Sequence, residues 1–207
     1  MKIMEVKMKD VLTKILDKYP SARASTPFAG KHEIYSLFEK LKEEVSEFNF
    51  VASNQNLLVK VSYGKGKWAA IPWLAILDKR ETTTTQKGTY VVILFESNGK
   101  GFDLKLAQGV TEIIKIQGTS LNAIEELRKR ANKIKAMFPE MTANGFAVGD
   151  ESLATQKRDG KVVSLSELYE ASTIYSKHYK RESLPGDAEL SQDIAALIKC
   201  YGEMFSK

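Results

Sequence analysis

The segment Val61-Ser62-Tyr63-Gly64-Lys65-Gly66-Lys67-Trp68-Ala69-Ala70-Ile71-Pro72-Trp73 sets the architecture of this chain. Gly64-Lys65-Gly66 marks a tight turn. Ahead of it, Leu57 to Tyr63 reads as a strand, and behind it Trp68 to Leu77 reads as its partner. Pro72 cannot donate to a sheet ladder, so the second strand is expected at a sheet edge or with a bulge. Further on, Tyr90 to Phe95 is almost wholly apolar and is expected to be a central, buried strand. Ser97-Asn98-Gly99-Lys100-Gly101 gives a hairpin signal, and Phe102 to Ala107 alternates apolar and polar residues as its return. Residues 79–88 between the two hairpins are polar.

Helical patterns flank this β zone on both sides. Met4, Met8, Val11, Leu12, Ile15 and Leu16 recur at helical spacing, with Pro20 expected to close the segment. Ile34, Phe38, Leu41 and Val45 form a second stripe from about His32 to Phe48. After the β zone, Leu121, Ile124, Leu127, Ala131 and Ile134 form a third. Residues 139–162 are rich in glycine and polar side chains, with a short apolar patch at Phe146-Ala147-Val148. Ser164 and Glu167 have capping-box spacing, and a helix is expected from there to about Tyr179. Leu184-Pro185-Gly186-Asp187 is a break before a last helix carrying Leu190, Ile194, Leu197, Ile198, Tyr201 and Phe205. The expectation is an α+β fold: a central mixed or antiparallel sheet flanked by N-terminal and C-terminal helices in a single domain over 1–207, with a helical part at 1–48, a β core at 56–112 and a helical part at 119–207.

Composition removes several function classes. Apolar residues make up 43% of the 207, enough for a core, yet no apolar run approaches a membrane span. The N-terminus does not read as a signal peptide, and one cysteine, Cys200, allows no internal disulfide; both fit a cytoplasmic protein. Two histidines and one cysteine leave no basis for a structural zinc site. No Walker motif occurs, and Gly64-x-Gly66 lacks the spacing of a phosphate loop, so no nucleotide hydrolysis and no cofactor are expected. That absence predicts either a fragment or a separately encoded specificity subunit.

The net charge is +5. Between residues 60 and 105 eight basic residues stand against four acidic ones, so most of the excess lies in the β zone. A basic zone is the electrostatic footprint of nucleic-acid binding. Both tryptophans lie here beside two glycines and two lysines, a combination suited to close backbone approach, phosphate neutralisation and base stacking. The bland alternative is a tight hairpin with core tryptophans and solvated lysines. The basic helix residues 128–135 do not share one face and read as mainly structural. Asp103-Leu104-Lys105 with Glu96 resembles a magnesium-dependent nuclease core in miniature, though such spacing is common in alternating strands. His178 reads as a packed or surface residue on a helix, and Cys200 as a buried thiol.

The same segment, with Leu74-Ala75-Ile76-Leu77, Tyr90-Val91-Val92-Ile93-Leu94-Phe95, Leu106-Ala107-Gln108-Gly109-Val110-Thr111, Ala171-Ser172-Thr173-Ile174-Tyr175-Ser176-Lys177 and Leu184-Pro185, resembles the McrB-type N-terminal domain family. The resemblance covers most of residues 50–200. It implies a binding module, not an enzyme, of a modification-dependent restriction system that defends against phage. Such domains sit in front of a GTP-hydrolysing motor that recruits a nuclease subunit. They read a modified cytosine, 5-methylcytosine or a relative, in duplex DNA by flipping the base into a pocket. The matching pocket positions are Trp73 and Leu94, with Lys65 and Lys67 at the turn, Tyr63 and Trp68 flanking it to stack or wedge, and Phe146 as a further aromatic wall. The chain departs from the pattern at Lys65, where an aromatic is expected. The alternatives are a nuclease using Asp103 and Lys105, and a protein-interaction domain with an incidental basic zone.

Overall fold

The computed structural model describes residues 8–28, 32–149 and 163–205. Helices α1 (Met8–Ser25), α2 (Glu33–Glu47) and the short α3 (Asn49–Ala52) precede four strands: β1 (Leu57–Gly64), β2 (Trp68–Asp78), β3 (Thr89–Phe95) and β4 (Gly101–Gln108). Then come α4 (Val110–Gln117), α5 (Leu121–Met137), the short α6 (Glu140–Ala143), β5 (Ala147–Val148), α7 (Leu165–Ser172), β6 (Thr173–Lys180) and α8 (Asp187–Glu203). The six strands form one antiparallel sheet in the order β1-β2-β3-β4-β6-β5. The fold is α+β, as the sequence pattern predicts.

Four local expectations change. Pro20 does not end the first helix; it sits inside α1, which runs on to Ser25. A proline in a helix deprives the carbonyl four residues earlier of its donor. That carbonyl, of Leu16, lies against Gly99, where any Cβ would stand 2.2 Å from the oxygen and 2.8 Å from the Pro20 ring. The expected start of this helix at Met4 lies outside the described residues. Of the edge or bulge expected at Pro72, the edge is ruled out: Pro72 is buried in β2, which lies between β1 and β3. One missing donor in an eleven-residue strand costs one ladder bond, and burial of the ring offsets it.

Residues 173–180 form a strand where a helix is expected. The capping box is as read: Ser164 and Glu167 satisfy each other's backbone N–H groups. But α7 stops at Ser172, and Thr173-Ile174-Tyr175 continues as β6, paired antiparallel with β5 through Ala147↔Ser176 and Val148↔Tyr175. β-branched and aromatic side chains favour a pleated, buried setting, and here strand pairing prevails over extension of the capped helix. His178 therefore stands on a strand. Helix α4 follows a sequence read only as a strand end, and Gly118 stops it with a φ of +68°. Of the polar stretch 139–162, residues 150–162 lie outside the described part.

The chain divides into two compact units. The first comprises residues 1–76, 92–104 and 178–195. Its core joins Leu12, Ile15 and Leu16 of α1 to Ile34, Phe38 and Leu41 of α2. A relay of rings runs from Tyr19 to Phe38, Phe95, Phe102 and Tyr179 at centroid separations of 5.0–6.2 Å. The second comprises residues 77–91, 105–177 and 196–207. Its helices α4, α5 and α7 pack Val110, Ile113, Ile124, Leu127 and Leu168 into one cluster. Gln108 Nε2 donates to the Leu127 carbonyl at 2.8 Å and ties α5 to the end of β4.

Candidate nucleic-acid interface

The turn between β1 and β2 is held from below by aromatic side chains of the first unit. Trp68 donates its indole N–H to the Thr26 carbonyl at 2.6 Å. Its ring meets Tyr19, Phe28 and His32 edge-on at 5.7, 5.1 and 5.2 Å. Tyr63 stacks on Tyr35, centroids 4.8 Å apart and planes 20° apart. Burial, and then the charge of Glu39, pushes the Tyr63 phenol above its ordinary range. Tyr19 closes the arrangement by donating its hydroxyl to the Ala69 carbonyl at 2.7 Å. Two of the aromatics singled out in the sequence, Tyr63 and Trp68, are thus engaged with the protein itself and brace the turn.

Above them, Lys65, Gly66 and Lys67 are exposed. Neither lysine has an ion-pair partner among the described residues. Charges so placed are free to meet phosphates.

Trp73 and Leu94 lie on adjacent strands, β2 and β3. From Pro72 to Asp78 every residue of β2 is buried except Trp73, which is half-buried. In β3 every residue is buried except Leu94, again half-buried. Each is therefore the one position where its buried run opens outward. Phe146 belongs to the second unit; it is 2% exposed, with the Lys177 ammonium 5.9 Å from its ring centroid.

Other surfaces are less suited to DNA. A depression along α2 is lined by Glu39, Glu43, Glu44 and Glu47 with Lys40. Burial, then the charge of Glu47, raises the Glu44 carboxyl above its usual range. A phosphate backbone would be repelled there. Glu96 and Asp103, the carboxylates of the nuclease alternative, both turn toward His178: Asp103 Oδ1 is 2.8 Å from Nδ1, and Glu96 Oε1 is 3.9 Å from Nε2. Among the described residues no group of three histidine, cysteine or carboxylate side chains is arranged to hold a metal ion. This cluster escapes the sequence reading because its histidine is seventy-five residues from its aspartate.

Residues 14–206 match the family described as MrcB-like, N-terminal domain. The chain belongs to that family. Membership supports a DNA-binding domain of a restriction system, a binding module and not a catalytic one. No curated protein sequence matches this chain significantly. No helix among its described residues is long and apolar enough to cross a membrane.

Proposed function

We propose that this MrcB-like domain reads a modified cytosine in duplex DNA. The observation that carries the reading is that Trp73 and Leu94 lie on adjacent strands, each the single opening in a buried run, and that the first of these strands follows a turn with two lysines unpaired among the described residues. An extruded base lies against the indole of Trp73 and the methyls of Leu94, while Lys65 and Lys67 hold backbone phosphates. Tyr63 and Trp68 keep the turn rigid, so that the lysines are positioned before DNA arrives. A lysine at position 65 supplies charge where an aromatic would supply stacking, which shifts affinity from base to backbone. Cleavage and its energy supply belong to a GTP-hydrolysing motor and a nuclease subunit, and the complex acts in the cytoplasm.

The chemistry sets the scale of discrimination. One buried methyl is worth about 0.8 kcal/mol, or roughly fourfold in affinity. Selectivity for 5-methylcytosine over cytosine should therefore be modest unless flanking contacts add to it.

The test is binding of the purified chain to matched duplexes carrying cytosine, 5-methylcytosine, 5-hydroxymethylcytosine or N6-methyladenine. One modified duplex should be preferred, and Trp73→Ala should abolish the preference while retaining weak binding. Affinity should fall steeply between about 50 and 200 mM salt, as phosphate contacts require. Equal binding to all four duplexes, unchanged by Trp73→Ala, would leave only a basic surface.

A further inference from the structure

We propose that Ile71 is the side chain that enters the base stack when the domain binds DNA, filling the space that the extruded base leaves. The inference rests on the base-reading proposal above and adds a residue to it. Ile71 is 55% exposed and is the one exposed large hydrophobic side chain of the first unit among the described residues. A lone exposed isoleucine is ordinary on a protein surface. Three features set this one apart.

The first is its face. Side chains alternate along a strand, so Ile71 and Trp73 project to the same side of β2, about 7 Å apart, while Pro72 between them is buried. The second is its charge setting: Lys65 and Lys67, unpaired among the described residues, lie in the turn that leads into its strand. A duplex held by those lysines lies within reach of the strand that carries Ile71. The third is rigidity. The strand start is pinned by the Trp68 indole on Thr26 and the Tyr19 hydroxyl on Ala69, and a β-branched side chain has few rotamers to lose on insertion. Apolar side chains of this kind part base steps in proteins that distort DNA. The nearby aromatics are unsuited to the task, because Tyr63 and Trp68 are already packed against Tyr35 and Phe28.

Insertion moves an exposed apolar side chain out of water and offsets part of the unstacking cost. The experiment uses the whole chain, the Ile71→Ala and Ile71→Met variants, and duplexes with 2-aminopurine next to the modified cytosine. A second duplex carries a mismatch at that cytosine, so that the base is already loosened. Ile71→Ala should bind the fully paired duplex about tenfold more weakly, from the lost side-chain burial. It should bind the mismatched duplex nearly as well as the parent, and its 2-aminopurine signal on the paired duplex should fall. Ile71→Met should retain most of the affinity. Unchanged thermal stability would confirm that the variants fold. Equal loss on both duplexes, or no loss on either, would overturn the wedge while leaving base reading intact. A parent protein that shows neither modified-base preference nor a 2-aminopurine signal would instead overturn base reading, and the wedge with it.

Discussion

Asp78 shows how a single buried carboxylate is made tolerable. It ends β2 and is wholly buried. Burial alone would raise its pKa, but the Arg80 hydrogen bonds prevail and hold it below the usual carboxylate range. Arg80 donates from Nε at 3.0 Å, from Nη2 at 2.7 Å and from its backbone N–H at 2.9 Å. The guanidinium also lies 4.8 Å from the Phe205 ring centroid. The backbone N–H of Asp78 donates in turn to the Tyr201 hydroxyl at 2.9 Å. Tyr201 is itself fully buried, and burial raises its phenol pKa. Tyr201→Phe removes an acceptor from a buried donor without changing the packed volume. The expected cost is about 1–3 kcal/mol, read as a lower urea midpoint with an unchanged slope. A negligible change would mean that the Asp78 N–H is satisfied elsewhere.

At the scale of the element, the β1–β2 turn depends on two glycines for different reasons. Gly64 has a φ of +137°, and a Cβ there would stand 2.0 Å from the Lys67 carbonyl oxygen and 2.9 Å from the Ala69 nitrogen. Gly66 has a φ of +70° with nothing within 4 Å of the same construction. Gly66→Ala should therefore cost only the left-handed backbone penalty, roughly 1–2 kcal/mol. Gly64→Ala must displace backbone atoms and should lower the thermal midpoint by clearly more, with a parallel loss of DNA affinity. Equal losses for the two would show that the turn relaxes freely. The turn itself was legible in the sequence because its signals are local: two glycines between alternating strands. The exposure of Lys65 and Lys67 was legible for the same reason. The bracing role of Trp68 was not, because its partner Thr26 lies forty-two residues away. Nor was the run of α1 past Pro20, where the sequence-distant Gly99 leaves room for the Leu16 carbonyl and the Pro20 ring. β6 was misread because the Ser164–Glu167 capping box marks where a helix starts and not where it stops, and α7 gives way to β6 at Thr173. The exposure of Ile71 could not be read at all, since it is defined by what surrounds it.

Across the whole molecule, the ionisable groups buried uncharged set a limit on alkaline stability. Cys200 is 3% exposed, and burial, followed by the charges of Glu140 and Glu203, pushes its thiol from an ordinary 9.0 to about 12. Burial likewise pushes the phenols of Tyr19, Tyr90 and Tyr175 from 10.0 to about 12, and raises Tyr179, whose hydroxyl donates to Asp193. In each case the folded state favours the protonated, neutral form. The unfolded chain then releases protons first as pH rises, so folding stability decreases with pH in that range. This contribution is fully present below about pH 9 and is lost progressively toward about pH 12. At about pH 10.5 the thiol alone accounts for of order 2 kcal/mol, since one pKa unit corresponds to about 1.4 kcal/mol. The expected profile of unfolding free energy begins to fall near pH 9, where only the thiol titrates, and steepens above about pH 10 as the tyrosines join. Cys200→Ala should lower stability at neutral pH through lost packing yet remove the first part of the fall, leaving the steeper tyrosine part in place. Urea unfolding at stepped pH measures both. A parent profile that stays flat through about pH 11 would mean that these groups ionise as easily folded as unfolded. Their burial would then be relieved by motions too frequent for a packed core.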